Sequence, residues 1–264
     1  GVGRTGALHR DGRAIRAQAG TSELYINGRR FFAEFPILAS DDEDIISTMD
    51  DSKIIDPIMR PYRIPNGKKV DTVVLDPGDG GMDQGAANQW GTEKGFALDV
   101  ALAARDQLQL AGYRVEMTRS TDTGVSLEER ADFANRFSNA VFISIHFNSS
   151  SGGAGVESYA LAPAGVISNA SNEGHLSYSD NQVSNGNALD SQNMALAAAV
   201  HAAILSRVSV FDRGVRHARF KVLRNIRIPA VLVEGGFLSD PIEGQRIASP
   251  QHQQQIGIAI AQAV

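Results

Sequence analysis

The segment VVLDPGDGG at residues 73–81 is the most informative about the fold, because an apolar run breaks there into a glycine-rich turn that carries an aspartate. Two later segments are built in the same way. FISIHFN at 142–148 runs into a histidine and an asparagine, and AVLVEGGF at 230–237 places a glutamate before two glycines. Short runs that are apolar throughout are typical of strands buried on both faces of a parallel sheet. We therefore expect three such strands, each ending in polar groups.

Strands and helices alternate from residue 71 onward. This alternation predicts an α/β fold with a mainly parallel, twisted sheet and helices on both of its faces. A capping box at 126–129 marks one helix start, because its serine and glutamate side chains each bond the other residue's backbone N–H. The predicted strands are 71–76, 113–118, 141–146, 155–161 and 230–234, and the predicted helices are 93–110, 127–137, 189–206 and 250–263.

Residues 1–66 are predicted to form a small β-rich segment ahead of a main domain at 67–264. Residues 1–21 are rich in Gly, Arg and Ala and are interpreted as a mobile or extended lead-in. The Asn-Gly pair at 27–28 predicts a hairpin, since both residues tolerate positive φ. A short helix is expected within 45–59, followed by a linker marked by proline and glycine.

The segment 163–188 is rich in Ser, Asn and Gly and lacks a helical period. A loop of this length is uncommon unless it is functional or mobile. Two interpretations carry equal weight at this point. One is a lid or substrate-contact loop over the site, and the other is a tolerated insertion at the surface.

The composition excludes several classes of function. A net charge of −5 argues against nucleic-acid binding, which needs a basic surface, and no run approaches the ~20 apolar residues that span a bilayer. The chain has no cysteine, so disulfides, thiol nucleophiles and zinc–thiolate sites are excluded, and a transition metal would need His, Asp and Glu as ligands. The chain begins with Gly1, and a signal peptide removed earlier would leave no trace.

Four polar residues are candidates for one site. The carboxyl ends of strands in an open α/β sheet border a shared crevice, so we expect Asp79, His146 and Glu234 at one edge. Glu93 joins them, because it falls in the first turn of the helix after the glycine-rich loop. Taken singly, Glu93 is explained by the helix dipole and His146 by a hydrogen bond in a half-buried position. Glu234 ends a buried strand and needs a charged partner or a metal.

Several motifs resemble those of zinc-dependent N-acetylmuramoyl-L-alanine amidases, the family marked by LDPGHGG and SIHxN signatures. The resemblance covers residues 71–264 in unbroken order. Each motif alone is weak, but the combination is specific. The motifs are LDPGDGG at 75–81, GTEKGFAL at 91–98, TR at 118–119, SLEERADFAN at 126–135, SIHFN at 144–148, GVESYAL at 155–161 and RGVRHARFKVLRNIRIPAVLVEGGFLSD at 213–240.

The resemblance implies hydrolysis of the amide between N-acetylmuramic acid and L-alanine in peptidoglycan. The family's two histidine ligands fall on Asp79 and His146, its glutamate ligand on Glu93 and its catalytic glutamate on Glu234. One zinc ion is the implied cofactor, and peptidoglycan is the implied partner. The implied location is the periplasm or the extracellular cell envelope. We expect a monomer without a membrane span, and the sequence does not identify an activator protein.

This sequence departs from the family at Asp79, where a histidine ligand is expected. Aspartate binds zinc at about the same distance as histidine but has a shorter side chain. A second carboxylate also brings the metal centre to zero net charge, which weakens its pull on a bound water. More oxygen ligation favours harder ions such as manganese or magnesium. We therefore expect weaker zinc binding and slower chemistry.

Two other classes of function compete with the amidase. The first is a catalytically silent peptidoglycan-binding protein that keeps the fold, which Asp79 favours. The retained Glu93, His146 and Glu234 argue against it, because loss of function would erode these positions too. The second is a metal-dependent peptidase or deacetylase acting on another amide, since a fold does not specify a substrate.

The remaining histidines and three arginines are not expected to be metal ligands. His217 is expected on a solvent-facing strand, and His175 in the polar loop could reach the site only if that loop folds over it. Neither is expected to replace Asp79 as a ligand. His9, His201 and His252 are expected on surfaces, and Arg119, Arg130 and Arg224 are expected in buried pairs with carboxylates.

Overall fold

A ten-stranded sheet forms the centre of the computed structural model, which describes residues 5–10, 13–39, 44–65, 67–168 and 178–264. The N-terminal part contributes four strands, a separate two-stranded pair and a helical stretch. Its elements are β1 (Thr5–Arg10), β2 (Arg13–Gln18), β3 (Glu23–Ile26), β4 (Arg29–Phe32), β5 (Leu38–Ala39), β6 (Asp44–Ile45), α1 (Thr48–Asp50), a π-helical turn (Asp51–Ile55), α2 (Asp56–Met59) and a 3-10 turn (Pro61–Arg63).

The larger part of the chain supplies the other six strands of the sheet, one short hairpin and six helices in the described residues. These elements are β7 (Thr72–Pro77), β8 (Ala87–Asn88), β9 (Gly91–Thr92), α3 (Glu93–Leu110), β10 (Arg114–Met117), α4 (Leu127–Ala134), β11 (Ala140–Asn148), β12 (Val156–Leu161), 3-10 turns at Tyr178–Asn181 and Asn185–Leu189, α5 (Asp190–Arg207), β13 (Asp212–Ala218), α6 (Lys221–Arg224), β14 (Ala230–Phe237), α7 (Pro241–Ile247) and α8 (Pro250–Ala263).

The strand order is β1-β2-β3-β4-β13-β12-β14-β11-β7-β10. The strands from β14 to β10 run parallel to one another, and β4, β13 and β12 form a second parallel group. The two groups meet at an antiparallel pair, β12 with β14, and the N-terminal strands are antiparallel meanders. The predicted α/β class with a mainly parallel sheet is confirmed.

Helices cover both faces of the sheet, as predicted. α3, α5 and α8 share one apolar core with residues such as Leu75 and Ile143, whereas α4 and α6 share the other with Val74 and Phe142. Successive residues of β7 and β11 thus enter opposite cores, which is why these strands are apolar throughout. Full burial of such a side chain contributes about 1.5–3 kcal/mol. No helix of the described residues is long and apolar enough to cross a membrane.

Most predicted elements match the structure, and the helices at 93–110 and 250–263 match to the residue. The helix predicted at 127–137 ends at Ala134 instead. The hairpin is confirmed, because Asn27 and Gly28 adopt φ values of 51° and 77° between β3 and β4.

The lead-in before residue 21 is more ordered than its composition suggested, since its described residues form β1 and β2. These strands continue the main sheet through β4, whose Phe31 lies opposite Val215 of β13. The sequence predicted only a solvent-facing strand at His217 in this region; the bounds and the burial of β13 were not predicted, because its sequence DRGVRHA is mostly polar. The sheet is therefore continuous between the N-terminal strands and the rest of the chain, and the domain boundary at 66/67 stays a prediction.

The described parts of the segment 163–188 leave the sheet at the edge opposite the candidate site. Glu157 of β12 lies opposite Glu234, and β12 then runs antiparallel to β14 toward that strand's amino end. Arg219 holds the segment there, donating to the Val166 carbonyl at 2.6 Å and to the Asp180 carboxylate at 2.7 Å. This placement favours the surface-insertion interpretation for the described parts. His175 lies outside the described residues.

Glu34 is an unusual titratable group at the junction of the N-terminal strands with the helices. Its Oε2 atom is buried and has no hydrogen-bond partner in the described residues. Burial, followed by the negative charges of Asp50 and Asp190, raises the pKa of its carboxyl to about 8. In the unfolded chain the carboxyl would titrate near its ordinary pKa, so folding favours the protonated form.

We expect Glu34→Gln to stabilise the protein at alkaline pH. The free energy of unfolding of the wild type should decrease as the pH rises from about 4.5 to about 8, because in this range the unfolded state has lost the Glu34 proton while the folded state still holds it. Glutamine cannot titrate, so the melting temperature of the variant should exceed that of the wild type at pH 9 and match it near pH 5. Glu128→Gln, at an exposed position, is the control and should leave the difference between pH 5 and pH 9 unchanged. A wild-type profile retained by Glu34→Gln would contradict the prediction.

Candidate metal centre and catalytic glutamate

Three adjacent parallel strands bring the predicted residues to one edge. β11 lies between β7 and β14, with Ile145 opposite Pro77 and His146 opposite Glu234. Asp79 follows two residues after the end of β7. The shared crevice predicted from the strand ends is therefore present, and it brings Asp79, His146 and Glu234 together.

The turn that carries Asp79 has a left-handed backbone. Asp79 adopts φ of 56°, and the two glycines after it have φ of 124° and 61°. Aspartate is among the non-glycine residues that tolerate this conformation, as is histidine. The turn thus accepts either residue at position 79 without a change of backbone.

Two buried arginines hold this turn through its carbonyl groups. Arg130 donates to the carbonyls of Pro77 and Asp79, each at 2.7 Å, and Arg119 donates to those of Pro77 at 3.0 Å and Gly78 at 2.6 Å. Arg130 also forms the predicted carboxylate pair, with Asp76 at 2.6 Å. Among the described residues, the carboxylate pairs predicted for Arg119 and Arg224 are not formed, and both side chains donate to carbonyl oxygens instead, such as that of Arg219 for Arg224.

Asp76 is a buried structural residue whose role was not predicted from the sequence motifs. It is 1% exposed and accepts from Thr118, Ser144 and Arg130 at 2.6–2.7 Å. These bonds join β7, β11 and α4 directly behind the turn. A buried carboxylate that accepts three hydrogen bonds needs no further partner. Asp76 therefore supports the site structurally and is not a candidate ligand.

Glu93 lies at the start of α3 and points into the site, as predicted from its place in the first turn. Its Oε2 accepts the backbone N–H of Ala86 at 2.8 Å, and its Oε1 accepts that of Phe147 at 3.1 Å. Oε1 also lies 2.9 Å from Nδ1 of His146. The carboxylate is therefore held rigidly between the short hairpin before α3 and the end of β11.

Asp79, Glu93 and His146 form a candidate cation site. Each offers one donor atom, and these atoms lie within 4.8 Å of one another. Oδ2 of Asp79 is buried and has no hydrogen-bond partner among the described residues, and the same holds for Oε2 of Glu234 nearby. Unpartnered buried carboxylate oxygens are costly unless a cation satisfies them. The donor set fits a divalent metal, with one nitrogen and two oxygen ligands.

The pKa values of these groups indicate that the carboxylates of the site stabilise a positive charge placed among them. Burial opposes protonation of His146, but its bond to Glu93 and the charges of Glu234, Glu93 and Asp79 raise its pKa to about 9. Burial and the charge of Glu93 raise the pKa of Asp79 to about 6. Burial would raise the pKa of Glu93, but the bond to His146 and the backbone donors lower it below its ordinary value. A metal ion would displace the imidazole proton that these carboxylates otherwise stabilise.

Glu234 lies beside the cluster, and its pKa is suited to proton transfer. Burial, followed by the charges of Glu93 and Glu157, raises its pKa to about 8, against the opposing effect of His146. A carboxyl tuned toward neutral pH can both accept and return a proton under ordinary conditions. Glu157, its cross-strand neighbour, is a buried site residue that sequence reasoning missed.

The site opens into a cavity of about 590 Å³. Asp79 and His146 are among its lining residues, and Met82 and Leu127 contribute apolar surface to it. A cleft of this size with a few convergent polar groups is typical of a site for a small molecule or a polymer segment.

Two glycines allow the ligands to approach one another. A Cβ atom at position 78 would lie 2.2 Å from the His146 ring, and one at position 85 would lie 2.3 Å from Oδ2 of Asp79 and 2.5 Å from Oε2 of Glu93. The glycine-rich loop is therefore needed for space as well as for its turn. The sequence indicated the turn but not this second role.

We expect Gly85→Ala to lower metal affinity by about tenfold or more, because the new methyl group would separate two ligand carboxylates. Calorimetric titration with zinc measures this. Gly152→Ala is the matched control, since Gly152 has a similar φ of 70° but nothing within 4 Å of an added Cβ. Equal losses in both variants would mean that backbone strain, and not the ligand clash, is responsible.

The other histidines do not join the cluster in the described residues. The expectation that His217 faces solvent is wrong: it is 1% exposed, and burial lowers its pKa to about 4. His201 is also buried, contrary to expectation, and its ring nitrogens lie 3.0 Å from Ser158 and 2.9 Å from Asp212. His252 is half-buried at the start of α8. The side chain of His9 lies outside the described residues.

The fold and the site together define an α/β protein with a candidate metal-dependent hydrolytic centre at the carboxyl edge of its sheet. The family model for N-acetylmuramoyl-L-alanine amidases matches residues 73–264. The chain belongs to that family. The match begins within β7 and includes all four predicted site residues.

Known relatives agree with this membership. The sporulation-specific N-acetylmuramoyl-L-alanine amidase of Bacillus subtilis (strain 168) is 30% identical over 186 residues, which are 70% of this chain and 63% of that protein. A probable cell wall amidase, LytH, of Staphylococcus epidermidis is 34% identical over 200 residues, 74% of this chain and 57% of that protein. The crystal structure of an N-acetylmuramoyl-L-alanine amidase from Clostridium difficile 630 aligns with a TM-score of 0.60 and 32% identity, over 74% of this chain and 95% of that one.

Proposed function

We propose that this protein hydrolyses the amide between N-acetylmuramic acid and L-alanine in peptidoglycan. Family membership supports the reaction class, and the cluster of Asp79, Glu93 and His146 beside Glu234 is the observation that carries the proposal. The chain spans 63% and 57% of the length of the two curated relatives above, so the activity of the whole protein is part of the proposal.

Asp79, Glu93 and His146 are the residues that would hold one metal ion. When bound, the ion would polarise the scissile carbonyl and lower the pKa of a water molecule. Glu234 is the proposed catalytic residue. It takes the proton from the attacking water and delivers it to the departing amine of L-alanine, for which its pKa of about 8 is well suited.

Zinc is the proposed metal, with reduced affinity because of Asp79. Two carboxylates and one neutral imidazole cancel the charge of a divalent ion, whereas two imidazoles and one carboxylate leave it at +1. The weaker net charge lowers the acidity of a bound water. The greater share of oxygen ligands also brings manganese into competition.

A catalytically silent peptidoglycan-binding protein is the second candidate, and Asp79 is the observation that favours it. The orientation of Glu93 into the cluster and the perturbed pKa of Glu234 favour the enzyme instead. The proposed place of action is the cell envelope, either the periplasm or the extracellular wall. The proposed oligomeric state is a monomer.

The test is to incubate the protein with purified sacculi, with and without added zinc or manganese, and to measure release of stem peptides with a free L-alanine amine. Release that depends on metal is expected. Metal binding without release would favour the silent binding protein, and neither binding nor release in any metal would overturn the enzyme assignment.

A further inference from the structure

The face of the sheet that carries Glu234 is covered at β12, where Glu157 and Tyr159 are buried, and becomes exposed on the N-terminal strands. Successive residues of a strand alternate between faces. Leu24 and Phe31 are 0% and 2% exposed and pack into the main core, whereas their neighbours Tyr25 and Phe32 on the other face are partly exposed and Arg16 is exposed. On this same face, α6 packs against β12 and β14.

Arginines and aromatic rings alternate along this open face. Arg16, Tyr25 and Arg30 lie directly opposite one another across β2, β3 and β4. The Arg16 guanidinium lies 4.5 Å from the centre of the Tyr25 ring. Arg30 and Arg216 lie 4.9 Å and 4.0 Å from the centre of the Phe32 ring. Stacking on a ring holds a guanidinium plane in place and uses none of its N–H groups.

The row is linked to the catalytic glutamate through Glu157, which is itself buried. Arg216 lies opposite Tyr159 on β12, and its Nε is 3.5 Å from Glu157, which in turn lies opposite Glu234. Five steps between neighbouring strands separate β14 from β2, or about 24 Å at ~4.8 Å a step. This length is suited to a polymer segment that extends beyond the cleaved bond.

The charge of the face selects an acidic ligand. Between β14 and β2 the face presents Arg16, Arg30, Arg213 and Arg216 against Glu23, Glu157 and Glu234, on a chain whose net charge is −5. Glu23 pairs with Arg30, and Glu157 pairs with Arg213, whereas Arg16 at the far end contacts the Tyr25 ring and has no carboxylate partner among the described residues. Guanidinium groups bind carboxylates through two parallel hydrogen bonds.

We propose that this face binds the carboxylate-bearing stem peptides of a peptidoglycan strand whose muramoyl amide lies at Glu234. The proposal rests on the proposed function for the identity of the polymer. It assigns to the N-terminal strands a role in holding polymeric substrate, for which the matched family region, beginning at residue 73, supplies no counterpart.

The test is co-sedimentation with purified sacculi freed of attached polymers, using the full chain with Glu234→Gln so that the substrate is not consumed. The double variant Arg16→Gln/Tyr25→Ala should bind about tenfold more weakly, equivalent to ~1.4 kcal/mol. Glycan strands stripped of their stem peptides should bind the parent protein equally weakly. Arg114→Gln is the control, because Arg114 on the opposite edge strand is also exposed and has an aromatic neighbour, Phe137; unlike Arg16, it has a carboxylate partner, Glu116.

Unchanged binding by the double variant, equal loss in Arg114→Gln, or full binding to stripped glycan would each overturn the proposal. Arg16→Glu, at an exposed position, replaces the double variant if melting curves show that the latter is unfolded. The proposed function is tested separately on a short muramoyl peptide, which is too small to reach Arg16. The double variant should hydrolyse it at the parent rate with Glu234 intact, and a parent that cannot hydrolyse it would refute the function but not the binding result.

Discussion

Asp79→His is expected to increase zinc affinity by about 100-fold and to raise the rate of peptide release with zinc. Changes that only perturb the partners of metal ligands alter affinity by about 10–100-fold, and a change of the ligand itself should be at least as large. The backbone φ of 56° accepts histidine, and the substitution restores a charge of +1 at the centre. Zinc content, calorimetric affinity and stem-peptide release from sacculi measure the effect.

Asp83→His is the matched control for this experiment. Asp83 is an exposed aspartate in the same loop, four residues further on, and does not belong to the cluster. It should leave zinc affinity near the parent value. Equal activity of the parent and Asp79→His in zinc would show that aspartate does not impair the site. An increase in both variants would mean that added histidine, and not the restored ligand, binds the metal.

Glu234→Gln is expected to lower turnover by about 10²–10⁴-fold, the range for loss of a general acid–base group. The variant is best made with Asp79→His, so that a fast parent rate is available. Glutamine keeps the shape of the side chain but cannot accept the proton of the attacking water. Peptide release under saturating metal measures the loss.

The zinc content of Glu234→Gln should equal that of its parent, because Glu234 lies beside the three ligands and is not one of them. Loss of metal together with turnover would instead make Glu234 a ligand. A turnover within a few-fold of the parent would exclude it as the proton carrier. Glu128→Gln, on the surface of α4, serves as the control for glutamate substitution.

Sequence reasoning succeeded where local chemistry decides structure. The helices at 93–110 and 250–263 and the Asn-Gly hairpin depend on caps, periods and turn residues that are close together in the chain. The buried strands were visible because both of their faces meet apolar cores. The four site residues could be predicted because each lies near the carboxyl end of an apolar strand or begins a helix.

Burial was predicted wrongly for polar residues whose partners lie far away in the chain. β13 is polar in sequence, yet its Arg213 and Arg216 are matched by Glu157 on the neighbouring strand. His201 was expected at the surface because nothing near it in sequence signals Ser158 and Asp212, which make its burial tolerable. Such pairs exist only once the sheet is assembled.

The sequence by itself determined the family, the buried strands and the presence of aspartate in place of a histidine at position 79. Those properties depend on residue identity and on spacing along the chain. Which groups come into contact depends on the tertiary structure. The donor atoms of Asp79, Glu93 and His146 lie within 4.8 Å of one another only in the folded chain. The antiparallel direction of β12 brings Glu157 opposite Glu234, and the sheet continues from there to the N-terminal strands. Apolar runs encode burial but not the direction or order of strands, and those depend on contacts between residues far apart in the chain.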